Sequence, residues 1–396
     1  MTQTASSANG PLGDLTPATF FDAYWQKQPL LVRNALPDFE SPLDPGELAG
    51  LACEPDIESR LILKEGGAYP WEMREGPFHN DDFLSLPDTQ WTVLVQEVDR
   101  LLPEVGALRD RFSFLPDWRV DDVMVSYAPT GGTVGPHIDT YDVFLIQGLG
   151  RRRWSIGRTP VEDETIVPDL DVRILADFEP DETFVVGPGD LLYLPPRVAH
   201  HGISEDDQCM TYSVGFRAPS HRDLVGDFFQ HVLGQMPTDA RYSDPDRTPA
   251  EHPGKIDAST RADIRALLRS LVANDADLDR WFGQFITRPQ RDRMAVPRSE
   301  PIDTGTLTAA VRSGRDLRHG PATRLAFIEH DDDRTTLFAN GDAHDLPPGT
   351  APVARCVSGR QYIPADDLAP LLDRDGAPAL VADLVNDGLL ELVPDR

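Results

Sequence analysis

Cysteine, lysine and long apolar runs are all scarce in this chain of 396 residues. Three cysteines, Cys53, Cys209 and Cys356, lie far apart and are odd in number, which argues against a disulfide-bonded scaffold. No run of 18 or more apolar residues occurs, so no membrane-spanning helix is predicted. The first residues show no basic segment followed by an apolar one, and therefore no secretory signal is expected. These features together predict a cytoplasmic protein.

The chain also contains few positively charged residues. Lysine and arginine together number 37 against 66 acidic residues, giving a net charge of −29, and only three of the cations are lysine. Such a chain is not expected to bind DNA through bulk electrostatics. The same composition fits either adaptation to a high-salt cytoplasm or an acidic surface that attracts a basic partner.

The first region, residues 1–219, is predicted to hold a β-barrel. Between Val120 and Phe216, short strands alternate with Gly/Pro turns, a pattern typical of an all-β barrel or jelly roll. Upstream of it we predict helices at 16–28 and 98–109 and strands at 29–34 and 91–96. The chain is therefore expected to be mainly β with additional helices.

The second region, residues 220–298, has helical patterning. Ser220 and Asp223 form a capping-box-like start, and apolar stripes follow over 224–232, 264–271 and 278–286. These stripes either pack on one another within the chain or form a dimer interface, and the pattern leaves both open. A segment rich in proline and charge, 287–305, reads as a linker.

The third region, residues 299–396, combines a predicted hairpin with short helices. The hairpin strands are 324–330 and 335–341, the helices are 366–372 and 379–386, and a closing strand covers 389–393. This combination suggests a winged-helix-like module, a shape often used to bind nucleic acid. The turn of the hairpin reads DDDR, and this acidity argues against DNA binding here.

The segment GPHIDTYDVF is the most informative stretch of the chain. His137 and Asp139 are two apart, so in a strand their side chains share one face. A third ligand is expected from GPGDLLYLPPRVAHHG, where His200 or His201 follows the turn, and its position directly after that turn favours His200. Two histidines and one carboxylate make the facial triad of non-haem Fe(II) oxygenases, which leaves coordination positions open.

Two neighbouring strands offer candidate pocket residues. Strand alternation in GRRRWSIG turns Arg152 inward with Trp154, where a lone arginine needs an anion. Arg152 is expected either to hold the far carboxylate of a dicarboxylate such as 2-oxoglutarate or to form a structural salt bridge. A second inward or solvent-facing set is formed by Asp122, Met124 and Ser126 on one strand, with Tyr141 sharing the parity of His137. Alternation alone does not decide between pocket and solvent for this set.

The motifs GGTVGPHIDTYDVFLIQGLGRRRW, GPGDLLYLPPRVAHHG and MTYSVGFRAP together resemble the bacterial JmjC-type ribosomal oxygenases of the cupin superfamily. The resemblance is dense from about 121 to 219. It implies a JmjC double-stranded β-helix barrel, a helical dimerisation region and a winged-helix C-terminal domain. It also implies an Fe(II)- and 2-oxoglutarate-dependent hydroxylase that uses O₂ to modify an arginine side chain of a basic large-subunit ribosomal protein, acting as a homodimer.

Residue by residue, the resemblance assigns three kinds of role. It implies iron ligands at His137, Asp139 and His200, 2-oxoglutarate contacts at Arg152 and Ser126, and contacts to the target arginine at Asp122, Met124 and Tyr141. One departure is the His-His-Gly sequence at the third ligand, where relatives can carry an acidic residue after the ligand. Two other classes remain as alternatives: a cupin metalloenzyme of another reaction type, and a non-catalytic metal-binding scaffold.

Overall fold

The computed structural model describes residues 10–65, 67, 70–272, 274–289 and 294–394. The first region contains a mixture of short helices and the strands of a barrel. Its helices are α1 (Pro17–Ala23), α2 (Pro45–Ala52), α3 (Asn80–Leu84), α4 (Val98–Leu101) and α5 (Pro103–Asp110), followed by a 3₁₀ turn at Asp117–Arg119. Its strands are β1 (Leu30–Val32), β2 (Ser59–Leu63), β3 (Glu72–Glu75), β4 (Trp91–Val95), β5 (Val120–Ala128), β6 (Asp142–Leu149), β7 (Arg152–Pro160), β8 (Glu182–Val186), β9 (Leu191–Leu194), β10 (Val198–Ser204) and β11 (Cys209–Phe216).

These strands form two facing antiparallel sheets. The larger sheet has the order β1-β9-β6-β11-β5-β4-β2-β3, and the smaller has the order β10-β7-β8. Apolar side chains from both sheets meet between them, namely Val143, Leu145, Trp154, Ile156, Val186, Leu192, Leu194 and Val198. The predicted double-stranded β-helix barrel is therefore confirmed. The other face of the larger sheet is covered by the N-terminal helices, whose Phe20 packs on Phe144 and Tyr193.

Two predicted helices are shorter than the sequence pattern suggested. The helix predicted at 98–109 is broken in two, because Pro103 forces Leu102 into an extended conformation (φ −122°, ψ 117°). The helix predicted at 16–28 ends at Ala23. The chain then turns through Gln26 (φ 55°), whose backbone N–H donates to the Tyr193 hydroxyl at 2.8 Å. This tertiary contact replaces further helical turns.

The second region contains α6 (His221–Gln235), α7 (Ala258–Ser270) and α8 (Asp275–Thr287). The predicted capping box is present, since Ser220 accepts from the backbone of Asp223 and the Asp223 carboxylate accepts from the backbone of Ser220. Helix α8 packs within the chain: its Trp281 is buried and lies 5.1 Å from the ring of Phe228 on α6. Much of the apolar surface of α6 and α7, by contrast, is exposed in the single chain. Part of the predicted linker, residues 290–293, lies outside the described residues.

The third region is built around its own apolar core. Its elements are α9 (Thr304–Arg312), β12 (Leu317–His319), β13 (Leu325–Glu329), β14 (Thr335–Ala339), β15 (Asp342–Leu346), α10 (Ala351–Ser358), β16 (Tyr362–Ile363), α11 (Ala365–Leu368), a 3₁₀ turn at Ala369–Asp373, α12 (Ala377–Asn386) and β17 (Leu390–Leu392). The predicted hairpin is confirmed as β13-β14, and β15 extends it to three strands. The closing strand β17 pairs instead with β12 in a separate sheet, β16-β12-β17. Across the described parts of the chain, none of the helices is both long and apolar enough to cross a bilayer.

Candidate metal centre and cosubstrate pocket

Backbone pairing brings His137 and His200 together. The two residues form an isolated antiparallel bridge, in which each backbone N–H donates to the other's carbonyl at 3.0 Å. Their imidazole rings lie 4.2 Å apart between centroids. Residues 63 positions apart in sequence are thus placed side by side by the register of the chain, without any contribution from their side chains.

Each of these histidines is oriented by a nearby carbonyl. Nδ1 of His137 lies 2.9 Å from the Gly135 carbonyl oxygen, and Nδ1 of His200 lies 2.9 Å from that of Val198. A carbonyl only accepts, so Nδ1 carries the proton and Nε2 keeps its lone pair for a metal. Burial, and next the proximity of His137, lowers the pKa of His200 to about 4, so its imidazole is neutral at physiological pH.

Asp139 completes a cluster that fits a metal ion. Its Oδ2 lies 3.6 Å from Nε2 of His200, and one ligand atom from each of His137, Asp139 and His200 lies within 4.8 Å of the others. Ligands that are each about 2 Å from one ion are separated by roughly 3–4 Å, so these atoms need only small movements to share one. His201, the alternative third ligand, is not in this cluster; its position on β10 pairs with Ser155 instead.

Arg152 lies at the start of β7 and is 3% exposed. Strand alternation turns it inward, as predicted, while Arg153 points outward and pairs with Glu205. Nε and Nη2 of Arg152 are buried and have no hydrogen-bond partner among the described residues. A buried guanidinium with open donors is costly unless an anion binds there, so this site fits the carboxylate of a dicarboxylate. The structure shows no salt bridge for Arg152 within the described residues, and the salt-bridge alternative therefore has no support.

The candidate residues of β5 face different surroundings. Ser126 is buried, with its Oγ 3.5 Å from the Thr211 carbonyl on the adjacent β11. Asp122 is also buried and accepts a 2.9 Å hydrogen bond from the backbone N–H of Glu97. Met124 is half-buried, with its Sδ 3.5 Å from Nε2 of Gln96. Strand alternation left open whether these three side chains face a pocket or solvent; in the structure they are largely shielded from solvent.

Tyr141 stands at the edge of this group and is 41% exposed. The negative charge of Asp139, and then burial and the charge of Asp122, raise the pKa of its phenol. Tyr141 and Asp122 both lie close to Gly215. A Cβ on that glycine would be 3.7 Å from the Tyr141 ring and 3.9 Å from Asp122 Oδ1. The absence of a side chain at Gly215 leaves space between them. This edge of the barrel, formed by Asp122, Met124 and Tyr141, is called the acidic wall below.

Two positions that shape the centre were missed from the sequence. Gly135 adopts φ +83°, and a Cβ there would lie 2.2 Å from Cδ1 of Ile174, so glycine is needed to present its carbonyl to His137. Arg197 adopts φ +65°, and its backbone N–H donates to the Asp139 carbonyl at 2.6 Å. The glycine in Gly-Pro-His is a signal that a closer reading would have found, whereas nothing in the sequence marks Arg197.

Comparison with known proteins extends over nearly the whole chain. Residues 107–224 match the JmjC domain and residues 263–391 match the ROXA-like winged helix. The ribosomal protein uL16 3-hydroxylase of Escherichia coli (strain K12) is 34% identical over 93% of this chain and 95% of its own length. A probable ribosomal oxygenase of Haemophilus influenzae is 32% identical over 96% of this chain and 95% of its own length.

Solved structures agree with this relationship. The X-ray structure of E. coli YcfD superimposes with a TM-score of 0.85 at 33% identity, covering 96% of this chain and 99% of YcfD. A structure of the ribosomal oxygenase YcfD in complex with cobalt and 2-oxoglutarate superimposes with a TM-score of 0.83 at 32% identity, with the same coverage. The predicted family, barrel and winged helix are therefore confirmed. The chain belongs to the JmjC-domain ribosomal oxygenases, which are 2-oxoglutarate-dependent dioxygenases using Fe(II) and O₂.

Proposed function

We propose that this protein hydroxylates an arginine side chain of a basic large-subunit ribosomal protein. The observation that carries the proposal is the acidic wall, where the buried Asp122 carboxylate and the Tyr141 ring approach each other, and the charge of the metal-site residue Asp139 acts on the Tyr141 phenol. The curated relative from E. coli is named for hydroxylation of uL16, which makes uL16 the first candidate substrate. The strongly negative chain, with a net charge of −29, would also attract a basic protein.

The proposed metal site is made by His137, Asp139 and His200. Their neutral Nε2 atoms and single carboxylate suit Fe(II) and leave one side of the ion free. When bound, Fe(II) and 2-oxoglutarate supply the oxidising power that places one oxygen atom of O₂ on an unactivated carbon. Arg152 would hold the far carboxylate of 2-oxoglutarate through its open Nε and Nη2 donors, and the buried Ser126 hydroxyl would add a further contact.

The acidic wall explains why the target side chain would be arginine. A guanidinium is planar and permanently charged, so it pairs well with the Asp122 carboxylate and packs on the Tyr141 ring. The Met124 thioether is a polarizable apolar surface suited to the methylene stem between the guanidinium and the backbone. One oxygen of Asp122 accepts from the Glu97 N–H, and the other, Oδ1, would lie 3.9 Å from a Cβ on Gly215, beside the Tyr141 ring. A neutral side chain would offer the Asp122 carboxylate no opposite charge on the substrate.

The proposal is tested by intact mass spectrometry of ribosomal proteins from cells with and without the gene. We expect one basic protein to lose about 16 Da, the mass of one oxygen atom, when the gene is absent. Complementation with Asp122→Asn should restore the mass only partially, because the charge that recognises the guanidinium is gone. An unchanged set of masses would overturn the proposed substrate class, and modification of a residue other than arginine would overturn the assignment of the acidic wall.

We also propose a homodimer formed through the helical region. The support is the exposed apolar surface of α6 and α7, which includes Val225, Phe229, Leu233, Leu267 and Leu268. Leu233 is 65% exposed in the single chain, and surfaces of this kind commonly mark interfaces between proteins. Light scattering should give twice the chain mass for the natural protein and the single mass for Leu233→Glu; a monomeric natural protein would refute the dimer.

The remaining proposals follow from this function. We propose the partition into a catalytic domain (1–219), a helical dimerisation region (220–298) and a winged-helix-like domain (299–396). A ribosomal substrate and three cysteines that are all free suit a cytoplasmic location. The acid-rich wing, with its 331–333 aspartates, suits a role other than DNA binding. Cell fractionation tests the cytoplasmic location, and a DNA-binding titration at low salt tests whether the wing binds DNA.

A further inference from the structure

A largely buried arginine from the C-terminal domain reaches the first residues of β5. Arg324 donates from Nη1 to the Val120 carbonyl at 3.3 Å and from Nη2 to the Asp121 carbonyl at 3.4 Å. Its Nη2 also pairs with Asp121 Oδ1 at 3.2 Å. One guanidinium therefore binds two consecutive peptide carbonyls and a carboxylate on a strand that lies some 200 residues earlier in the chain. The side chain has lost most of its contact with water, being 10% exposed.

A second arginine, from α4, joins the same two domains. Arg100 donates from Nη1 to the Pro321 carbonyl of the C-terminal domain at 3.0 Å and from Nη2 to the Asp121 carbonyl at 3.3 Å. It also lies 3.4 Å from Oε1 of Glu97. Thus the Asp121 carbonyl is bound by both Arg100 and Arg324. The beginning of β5 is therefore one place at which the C-terminal domain contacts the barrel, in addition to the hydrogen bond that Gln361 donates to Asp99 at 3.4 Å.

Bringing these cations together is electrostatically unfavourable. Burial, and then the charges of Arg100 and Arg217, lower the pKa of Arg324 to about 9. Buried charges are often no more stabilising than apolar residues of the same volume, so stability alone is a weak reason for such a cluster. What the cluster does provide is directional binding of specific backbone atoms, which fixes the position of a strand end.

The strand end held in this way is part of the acidic wall. Asp122 follows Asp121 directly, and its carboxylate accepts from the backbone N–H of Glu97, the residue that pairs with Arg100. Glu97 adopts a left-handed conformation (φ 56°), so its N–H is directed at Asp122 by a specific local geometry. Tyr141 lies next to this strand end, since its ring and Asp122 Oδ1 would both lie within 4 Å of a Cβ on Gly215. Arg324 therefore binds the peptide group that joins Asp121 to Asp122, the first residue of the acidic wall.

We propose that the C-terminal domain is a positioning element of the substrate site, and that Arg324 is the positioning residue through which it sets the acidic wall. The proposal rests on the proposed function, since it concerns the same wall and the same cationic substrate. Arg324 touches neither the metal centre nor the pocket of Arg152. It acts by holding the main chain at Val120 and Asp121, so that the Asp122 carboxylate stays aligned for the substrate.

The test compares Arg324→Gln with the natural full-length protein, using recombinant uL16 of the same organism as substrate. We expect the KM for the protein substrate to rise about tenfold, with the KM for 2-oxoglutarate within twofold of its natural value. We also expect more succinate per hydroxylated protein, because a misaligned substrate is hydroxylated less often per turnover. Arg324→Lys keeps the charge and reaches fewer acceptors, so it should recover part of the loss. A protein KM within twofold in Arg324→Gln overturns the proposal.

Three further variants separate the possible failures. Arg355→Gln removes an exposed pair with Glu329 in the same domain and should leave both KM values unchanged. Should Arg324→Gln fail to fold, Arg324→Met keeps a long side chain and removes every donor to Val120 and Asp121; a raised protein KM supports the proposal and an unchanged one overturns it. Asp122→Asn tests the proposed function itself. If this variant hydroxylates uL16 normally, the substrate assignment fails. If Asp122→Asn weakens hydroxylation but Arg324→Gln does not, only the positioning role of Arg324 is rejected.

Discussion

The metal centre and the acidic wall are held in place by different kinds of contact. Each histidine of the centre is oriented by the carbonyl two residues before it, Gly135 for His137 and Val198 for His200. The wall is held from far away in the sequence, by Glu97 behind Asp122 and by Arg324 behind Asp121. The orientation of the ligand rings is thus locally determined, whereas the wall depends on how the domains pack.

This difference separates chemistry from recognition. A metal site requires ligand positions accurate to a few tenths of an ångström, and backbone anchors two residues away provide that accuracy. A substrate wall can be changed by altering distant contacts without disturbing the ligands. If this description is right, substitutions at the centre should remove turnover, and substitutions at the wall should mainly weaken binding of the protein substrate.

The largest effect is expected from His200→Ala. Loss of one ligand should lower succinate formation by more than about 100-fold, since removal of even an outer-shell partner typically costs 10- to 100-fold. His201→Ala is the matched control, because its ring lies outside the metal cluster, and it should retain activity within a few-fold. Turnover and bound iron are measured together. Comparable losses in the two variants would show that the cluster is not the metal site.

Arg152→Gln should have the next largest effect. Removing a buried cation from its anionic partner costs about 2–5 kcal/mol, and we therefore expect the KM for 2-oxoglutarate to rise about 100-fold. The iron affinity should change little. Arg153→Gln, one residue along the same strand, removes an exposed pair with Glu205 and serves as the control. If 2-oxoglutarate binds equally well to both variants, Arg152 does not hold the cosubstrate.

Gly135→Ala tests the local anchoring of the centre. A methyl group at φ +83° would also collide with Ile174, so the Gly135 carbonyl must move away from His137. We expect iron affinity to fall about tenfold, in the range seen for lost outer-shell partners. Gly187→Ala introduces the same methyl group where no atom lies within 4 Å and should bind iron normally. Equal iron affinity in both variants would mean that the carbonyl does not orient His137.

Local features of this molecule were easier to predict from the sequence than contacts between distant segments. Arg152 was predictable because strand alternation turns it inward with Trp154, and it lies at the start of β7. His137 and Asp139 were expected to share one face of a strand, but the structure has both outside the strands, and they reach His200 through the isolated bridge between His137 and His200. Helix lengths were less predictable, since Pro103 divides one helix and the contact between Gln26 and Tyr193 ends another.

The contacts across domains were not predictable at all. Arg324 lies in a predicted hairpin strand and resembles any surface arginine in the sequence, but the packing of the domains buries it against β5. Alternation also could not decide whether Asp122 faced solvent, because the answer depends on Glu97 folding over it. Local periodicity reports which residues share a face, while the identity of what covers that face is a property of the tertiary structure.

The smallest effect is expected from Tyr141→Phe, at the exposed edge of the acidic wall. The substitution keeps the ring and removes only the hydroxyl. Loss of one hydrogen bond to the substrate would cost about 1 kcal/mol, so the KM for the protein substrate should rise only a few-fold. The kcat and the KM for 2-oxoglutarate should stay the same, because Tyr141 supplies neither a ligand nor a cosubstrate contact. Tyr242→Phe, a similarly exposed tyrosine in the helical region, is the control. A fall in kcat approaching that of His200→Ala would place the phenol within the reaction centre, and the separation between a locally held centre and a remotely held wall would then be wrong.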